Sequence, residues 1–574
     1  MIKRDPISTS VCRTLLILTT IFACSVGRLS AQTEDDLIPI IKGELDREMK
    51  EFKAVNPSPY YVSYQVHEAH TGMIAASFGS ITEANQNAYR QVKTTVRVGD
   101  YGYDNTHRED DRMMDGEFRN NFSNTKQLPL ENNAHAIRQE LWLTTQREYQ
   151  SALKAYQSLK KKDDAKLNPG GDFSKEDVQS FVDGPLPDFE ATYHEKEWKE
   201  RIKQLTTPFL DNPDIIDGSA QLRISFERNY LISSEGTVVA QNRISAYLFI
   251  TAAIRTLDGD VAPLHLSYFA SKPSGLPSSE QMLSDVKEMI RKLVLLRAAP
   301  KAEPYTGPAI LYARVAGVFF HEIFGHRIEG HRFRDRMDAQ TFKGMLGAAV
   351  LPRNFDVISD PTLSTFSGKD LNGYYRYDDE GVASRRVNVV EKGVLKTFLL
   401  SRSPMNAEFP HSNGHGRGAT GASPVSRQSN LIVVNEKPTT MKNLRKMLVA
   451  ECKRQGKAYG YLFMDVTGGF TMTNRFMPNA FNIFPMEVYR VYVDGKPDEL
   501  VHGVNLIGTP LSMFAEIKGT DNVSEVFTGF CGAESGSVPV TAISPSILVN
   551  RIETQKKIEN EIEQSILPRP GFKD

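Results

Sequence analysis

Apolar residues recur every three or four positions in four segments of the chain, with polar residues between them. This spacing places the apolar side chains on one face of a helix and is typical of a helix that packs against a core. The pattern predicts helices over residues 36–53, 134–162, 279–298 and 441–454.

Shorter runs rich in β-branched and aromatic residues alternate with turn residues, which is the pattern of strands. A hairpin is predicted over residues 221–255, because two such runs flank Ser234-Glu235-Gly236 and glycine favours the tight turn. The polar residues 100–130 are predicted to form a long loop. The remaining strands are predicted at 60–66, 73–81, 91–98, 387–390, 395–400, 461–466, 488–493 and 538–543.

A stretch with repeated prolines at 300–308 separates two parts of different character. Before it helices and strands are mixed, and after it short strands dominate, apart from the helix 441–454 and a helix-like segment over 310–336. We therefore predict an α+β protein with N-terminal α/β subdomains followed by a β-rich C-terminal domain. The predicted boundaries are 32–125 and 126–303 for the subdomains and 304–574 for the C-terminal domain.

The N-terminus has the order of a signal peptide: basic residues, an apolar stretch at 15–26, and small residues that end at Ala31. The apolar stretch is shorter than the roughly 20 residues that cross a membrane as a helix. We therefore predict that residues 1–31 are a signal peptide cut near Ala31. The mature protein is then exported, periplasmic or extracellular, without a stable membrane span. Lipid attachment at Cys24 is a minor alternative, which the bulky Phe22 disfavours.

Composition and charge argue against a nucleic-acid-binding protein and against a disulfide-rich scaffold. The chain has 574 residues, 40% of them hydrophobic and 24% charged, with a formal net charge of −1, as in ordinary globular proteins. No concentrated basic face is indicated, so a nucleic-acid partner is not expected. Two cysteines, Cys452 and Cys531, remain beyond the signal peptide, too few for a disulfide scaffold. They form one bridge, or one of them binds a metal ion.

The sharpest chemical pattern is His321-Glu322-Ile323-Phe324-Gly325-His326. Neutral imidazoles bind zinc, and an adjacent glutamate can take a proton from water. Histidines five positions apart are separated by about 140° on a regular helix, so both face one metal ion only if the backbone departs from it. A π-bulge or a deformation at Gly325 would achieve this. The alternative is that His321 is a core histidine and His326 ends the helix.

Two further residues near this segment have open roles. His331 is either another ligand or a solvated side chain. Glu329, three positions after His326, is either a hydrogen-bond partner of that ligand or an ordinary surface acid.

The stretch Gly317–Gly330, with His321, Glu322 and His326, resembles the metallopeptidase motif of the TldD/PmbA family. The resemblance covers nearly all of residues 309–550 and is more diffuse before them. Other segments similar to the family follow in the same order: Asp378–Val382, Asn413–Arg417, Cys531-Gly532 and Val538-Pro539-Val540.

The resemblance implies an exported member of the catalytic, TldD-like subunit type. It implies that residues 304–574 form a metallopeptidase domain with one metal-binding helix, in which His321, His326 and Cys531 hold a Zn²⁺ ion and Glu322 is the catalytic base. The implied reaction is hydrolysis of peptide bonds in extended or unfolded polypeptides by a metal-activated water. Members assemble in pairs, which implies a homodimer or a heterodimer with a related subunit.

Several alternatives stay open. A disulfide between Cys531 and Cys452 would remove one ligand. A non-catalytic exported binding or scaffold protein would keep a structural zinc, with a fourth ligand such as His331. A serine or cysteine hydrolase is disfavoured, because Gly-x-Ser-x-Gly does not occur in a strand–turn–helix context. The glycine-rich stretches at 414–421 and 468–469 line a cleft or are ordinary turns, and Arg417 is a candidate substrate contact.

Overall fold

The structure, a computed structural model, describes residues 35–107, 125–161, 168–334, 341–473 and 481–557. The predicted signal peptide, with Cys24, lies outside the described residues. So do residues 108–124 of the predicted loop. Within the described ranges, no helix combines the length and the apolar character needed to cross a membrane.

Helices and strands are combined in the α+β manner that the sequence predicts, around two large sheets. The four predicted helices are confirmed to within one or two residues. The helices are α1 (Leu37–Phe52), α2 (Ala134–Lys160), α3 (Phe189–Tyr193), α4 (Glu195–Thr206), α5 (Ser279–Ala298), α6 (Ala313–Ile323), α7 (Met441–Arg454) and α8 (Pro510–Ala515).

The first sheet has seven strands and is mainly antiparallel. Its order is β3-β2-β1-β5-β6-β4, and β7 pairs with β6. The strands are β1 (Pro59–Ser77), β2 (Ser80–Val98), β3 (Lys126–Gln127), β4 (Ser180–Val182), β5 (Ile215–Ser233), β6 (Val238–Arg255) and β7 (Val261–Ala270). The predicted hairpin over 221–255 is confirmed as β5 and β6.

One strand prediction in this sheet is wrong. The segment 73–81 is not a separate strand: it contains the end of β1, a turn at Phe78-Gly79 and the start of β2. The polar, exposed beginning of β2 carries no alternating pattern, so the sequence conceals how far the hairpin extends. The predicted domain boundary at residue 125 stays a prediction, although strands from both sides of it pair in this one sheet.

Helices cover both faces of the first sheet. On one face α1 and α2 pack through Leu37, Ile41, Ile137 and Leu141 against apolar residues of β1 and β2. On the other face α4 and α5 pack against β5, β6 and β7. The stripes that predict the helices are therefore the surfaces that the sheet buries.

The second sheet has eleven strands in the order β13-β12-β9-β16-β22-β20-β18-β17-β8. β19 pairs with β18, β21 pairs with β22, and β8 pairs with β22 as well as with β17. The last pairing closes five strands into a ring. Two short two-stranded sheets, β10 with β11 and β14 with β15, complete the domain.

The strands of this part are β8 (Thr306–Leu311), β9 (Phe355–Ser359), β10 (Thr365–Phe366), β11 (Lys369–Asp370), β12 (Val387–Glu391), β13 (Val394–Leu395), β14 (Gly416–Arg417), β15 (Val425–Ser426), β16 (Asn430–Asn435), β17 (Tyr459–Thr471), β18 (Phe481–Tyr492), β19 (Glu499–Val501), β20 (Val504–Gly508), β21 (Ile517–Ala533) and β22 (Gly536–Lys556). Four of the five predicted strands lie mostly within β12, β17, β18 and β22. The prediction at 395–400 is wrong, because strand structure there ends at Leu395. The helix-like segment 310–336 is shorter than expected, since β8 occupies its start and α6 ends at Ile323.

Glu48 is a buried carboxyl at the junction of α1, β1 and α2. The Tyr64 hydroxyl donates a hydrogen bond to it, and the Thr145 hydroxyl oxygen lies 2.6 Å from the Tyr64 oxygen. Burial raises the pKa of Glu48 to about 7 from an ordinary value near 4.5, although hydrogen bonds with Tyr64 and Thr145 oppose the rise.

We expect Glu48→Gln to make the stability less dependent on pH. The folded protein keeps the Glu48 proton up to about pH 7, whereas the unfolded chain releases it near pH 4.5, so stability falls as the pH rises through this window. Glutamine carries no charge, so the variant does not lose this stability at high pH. The difference in free energy of unfolding between the variant and the wild type should therefore be on the order of 3 kcal/mol more favourable to the variant at pH 8 than at low pH. Denaturant unfolding at several pH values measures this.

Glu51→Gln is the matched control, because Glu51 is exposed on the same helix. It should leave the pH dependence as in the wild type. Identical pH profiles for the wild type and Glu48→Gln would contradict the assignment.

Candidate metal centre

The helix α6 carries the first two residues of the predicted centre, His321 and Glu322. All of its residues except Arg314 are buried. Phe319 and Phe320 pack against Phe514, which anchors the helix in the core of the second sheet. The helix therefore holds both polar side chains in a fixed place.

The second histidine follows a break in this helix. After Phe324 the chain tightens into a 3₁₀ turn over Gly325–Arg327, which contains His326. The turn brings the His321 and His326 rings to a centroid distance of 5.1 Å at an interplanar angle of 85°. The predicted departure from the helix thus occurs at Gly325, and the π-bulge alternative is wrong.

Gly325 is required here by space. A Cβ atom at this position would lie 1.8 Å from the Gln428 side-chain oxygen. The Gln428 amide nitrogen in turn donates to the His321 carbonyl oxygen at 3.3 Å. The absence of a side chain at Gly325 therefore lets Gln428 satisfy a carbonyl at the end of α6.

Cys531 reaches the histidines from β21, 205 positions after His326. Its sulfur lies 3.3 Å from His326 Nε2. One ligand atom each of His321, His326 and Cys531 lies within 4.8 Å of the others, and all three side chains are buried. The structure therefore brings together the three residues that the sequence analysis assigned to zinc.

The structure has neither a disulfide between Cys452 and Cys531 nor His331 as a fourth ligand. Cys452 and Cys531 are both free, and Cys452 packs in a separate apolar cluster under α7. His331 pairs with Glu534, and it is outside the three-residue group. Neither a disulfide nor a third histidine ligand is present among the described residues of this centre.

Glu322 lies beside the three ligands. Its Oε2 atom is 3.9 Å from His326 Nε2, and a Cβ at Gly469 would approach its side chain to 3.0 Å. Burial raises the pKa of Glu322, while His321 and His326 pull it back. A carboxyl group in this position belongs to the side chains that serve as general bases in enzymes.

Glu329 is the hydrogen-bond partner of His326 rather than a surface acid. Its side chain is fully buried, with Oε2 3.1 Å from His326 Nδ1 and 2.9 Å from Arg332 Nε. Although burial opposes ionisation, His326 and Arg332 hold the pKa of Glu329 well below its usual range. The carboxylate orients the ring so that Nε2 faces Cys531.

Arg427 connects this carboxylate to the cysteine strand. Its Nε atom lies 3.5 Å from Glu329 Oε1, and its NH2 group donates to the Cys531 carbonyl at 2.6 Å. Its NH1 group donates to Ser535 Oγ at 2.8 Å and to the Gly536 carbonyl at 3.0 Å. One buried guanidinium thus contacts the partner of His326, the strand that carries Cys531 and the turn that follows it.

The sequence analysis missed Arg427 and Gln428. Their pattern was visible as five successive polar residues, 426–430, of which the last begins the otherwise mainly apolar strand β16. All five are buried, and consecutive buried polar residues need partners. Such a run is a usable indication of a polar network.

The thiol of Cys531 is tuned by the same arrangement. Burial alone would raise its pKa, but His326 and His321 outweigh burial and hold the pKa of the Cys531 thiol well below its ordinary value. The thiolate is the form that binds zinc. Two imidazoles and one thiolate fit the donor set of a zinc site that has one position left for water or substrate.

A cavity of about 410 Å³, here called the metal cavity, opens beside these residues. The C-terminal part of the chain contributes the three ligands and Glu322 to this cavity. Gly468 and Gly469 also line it, in agreement with the prediction that this stretch lines a cleft. The first sheet contributes Phe249, His265 and Ser267 from β6 and β7. The centre therefore faces a space between the two sheets.

A buried helix and a late hairpin strand thus bring two histidines, a cysteine and a glutamate together in an arrangement that could hold a metal ion. The family profile of the PmbA/TldA metallopeptidase C-terminal domain matches residues 304–556. Residues 304–556, somewhat less than half of the chain, are therefore similar to the TldD/PmbA family, and the relatives named TldD homologs support membership of this family.

Individual relatives agree with this assignment. A metalloprotease of Archaeoglobus fulgidus is 30% identical over 48% of this chain and 58% of its own length, so this chain spans a little over half of that relative. A zinc metalloprotease TldD homolog of Saccharolobus solfataricus is 24% identical over 57% of this chain and 68% of its own length. The crystal structure of TldE from Thermococcus kodakarensis has a TM-score of 0.60 at 13% identity, covering 90% of this chain and 100% of that chain, which shows a shared fold.

We expect Glu329→Gln to weaken zinc binding about 10- to 100-fold. The amide keeps the shape of the side chain but loses the charge that orients His326 and balances Arg332 and Arg427. Competition with a chromophoric chelator measures the affinity.

Glu534→Gln serves as the control, because Glu534 contacts Arg332 and His331 but not His326. It should lower the zinc affinity much less. Equal affinities in wild type and Glu329→Gln would rule out the orienting role.

Proposed function

We propose that this chain is a zinc-dependent peptidase of the HExxxH type that hydrolyses peptide bonds of extended or unfolded polypeptides with a metal-activated water. The observation that carries the proposal is the convergence of buried His321, His326 and Cys531 beside Glu322 at an open cavity. The metalloprotease names of relatives support it.

The residues have separate tasks in this proposal. His321, His326 and Cys531 would hold the zinc ion, which when bound polarises a carbonyl group and lowers the pKa of a water molecule towards about 7. Glu322 takes a proton from the attacking water and passes it to the leaving nitrogen of the peptide. Glu329 and Arg427 keep the ligands in place while the proton moves.

The walls of the metal cavity suit an extended peptide. Among the described residues, β7 pairs only with β6 and β21 only with β22, so neither has a strand on its outer edge. On β21 the carbonyl oxygens of Gly529 and Cys531 already accept hydrogen bonds from Asn372 and Arg427, so β7 presents the freer edge. Both strands line the metal cavity, through residues such as His265 and Thr528. An extended segment can pair with such an edge through its backbone, largely independent of its side chains.

The competing hypothesis is a non-catalytic exported binding or scaffold protein with a structural zinc. A structural site has four protein ligands and no open position. The described part of the chain places three candidate ligands together, while His331 is engaged by Glu534. A buried carboxyl such as Glu322 has no role in a closed site. These features favour the peptidase.

Two substitutions separate the hypotheses. Glu322→Gln should reduce hydrolysis of unfolded protein substrates by about 10²- to 10⁴-fold, since the proton acceptor is lost, while zinc content stays near one per chain. Cys531→Ser should lose most of the zinc and the activity together. Zinc analysis and a fluorescent-casein assay provide both measurements.

Cys452→Ser is the matched control, because Cys452 is also buried but lies outside the centre. It should keep zinc and activity. Full activity in Glu322→Gln, or full zinc in Cys531→Ser, would refute the proposed centre.

We further propose that the protein is exported and works as a homodimer or as a heterodimer with a related subunit. The N-terminal pattern at 1–31 supports export. The structural likeness to TldE suggests that subunits related to this chain exist as partners.

Native mass spectrometry of the protein recovered from its own cells tests both points. We expect a chain that begins at Gln32 or Thr33 and an assembly of two subunits. A chain that retains residues 1–31, or a monomer at all concentrations, would contradict the respective proposal.

A further inference from the structure

A second cavity of about 650 Å³, here called the distal cavity, continues the space between the two sheets. Phe530 lines both cavities; it is 54% exposed, and its ring centroid lies 5.1 Å from that of Tyr247. The two spaces are therefore neighbours, separated by one aromatic side chain.

The strand β7 gives the distance between the cavities. His265 and Ser267 line the metal cavity, and Phe269 and Ser271 line the distal cavity. A shift of four residues along extended backbone corresponds to roughly 13 Å. A peptide bound in extended form at the metal centre would thus reach the distal cavity with a group about four residues from the bond that is cut.

Two buried cations line the distal cavity. Lys93 is 6% and Arg417 is 5% exposed. Lys93 donates to the Ala422 carbonyl at 2.6 Å, and Arg417 donates to the Gln428 carbonyl at 2.6 Å and lies over the Tyr375 ring. Within the described ranges, neither forms an ion pair with a carboxylate, although buried charges ordinarily have such partners.

Three nearby acids, Asp378, Asp379 and Glu380, accept hydrogen bonds from the backbone, and Glu380 accepts one from the Arg402 amide at 2.6 Å. Asp379 accepts a hydrogen bond from the Gly418 amide at 2.9 Å, and Asp378 accepts amide hydrogen bonds from Glu380, Val382 and Gly416. Burial raises the pKa of both aspartates, although Arg417 and Lys93 oppose the rise at Asp379. The two cations therefore retain capacity for another anion.

We propose that the distal cavity binds a carboxylate of the substrate, about four residues from the bond that is cut, through Arg417 and Lys93. This inference rests on the proposed peptidase function and adds a preference to it. A guanidinium and an ammonium group both bind carboxylates through charge-assisted hydrogen bonds. The carboxylate is either the C-terminus of the peptide or the side chain of an aspartate or glutamate.

Binding to zinc-loaded, full-length Glu322→Gln protein tests the inference without hydrolysis. The probes are N-terminally labelled octapeptides of one sequence, ending in a free carboxylate or an amide, with a single glutamate or glutamine moved along the chain. Fluorescence anisotropy gives the dissociation constants. We expect one neutralisation to weaken binding about tenfold or more.

The two sources of the carboxylate give different results. A loss on amidation alone assigns the C-terminus, and a loss on Glu→Gln replacement at one position alone assigns a side chain; either supports the inference. Equal affinities for all members of the series, or no measurable binding of any, overturn it.

Variants of the cavity complete the test. Arg417→Met and Lys93→Met in the same background should remove the carboxylate preference, and Arg417→Lys should retain part of it. Arg376→Met is the control, because Arg376 lines the same cavity but already pairs with Asp183. Zinc content and thermal unfolding identify a misfolded variant. A preference that survives Arg417→Met together with Lys93→Met overturns the inference.

Failure of the peptidase proposal would give a different result from failure of the carboxylate site. A wild-type protein that holds zinc, shows the carboxylate preference and hydrolyses none of the peptides would reject the peptidase and keep the distal carboxylate site.

Discussion

The buried carboxylate of Glu329 holds the metal centre together. Its Oε2 atom lies within hydrogen-bond distance of His326 and Arg332, and its Oε1 atom faces Arg427. A buried negative charge is costly unless it is paired, and here three cationic or hydrogen-bonding groups compensate it. Because Arg427 also binds the backbone at Cys531, the same charge determines where two ligands from distant parts of the chain meet.

The large-scale architecture prepares this meeting. The helix α6 is enclosed by the second sheet, whose strand β22 carries β21 and Cys531 at its side. The close approach of α6 to β22 depends on Gly317, where a Cβ would lie 3.3 Å from Ala542. The first sheet adds no ligand, but its strands β6 and β7 form the other wall of both cavities. The second sheet and its helix thus supply the centre, and the first sheet shapes the access to it.

Sequence periodicity predicted the elements whose burial is regular. The helix over 441–454 was located to the residue, because its apolar stripe faces one surface of a sheet. The periodicity failed to predict strands that extend beyond the core, such as the start of β2. Exposed polar residues there do not alternate with apolar ones. A deformation at Gly325 was one of two departures from the helix that the histidine spacing suggested. The contact of Gln428 with this glycine was not predictable, because no local pattern contains it.

The candidate ligands were foreseen to different degrees. His321, Glu322 and His326 are visible in six residues of sequence. The role of Cys531 came from the family resemblance alone, because nothing in the spacing places a residue 205 positions away beside His326. Arg427 was missed, since its function is entirely tertiary. Its five-residue polar run was the single local indication.

The long separation between His326 and Cys531 has a consequence for how the protein matures. Most strands of the second sheet lie between them in the chain, so a ribosome must release nearly the whole domain before the thiolate can reach the imidazoles. Contacts so distant in sequence form late in folding. A nascent chain therefore carries the histidine segment for a long time without its sulfur partner, and the capacity to hold the metal ion arises only when the last hairpin docks.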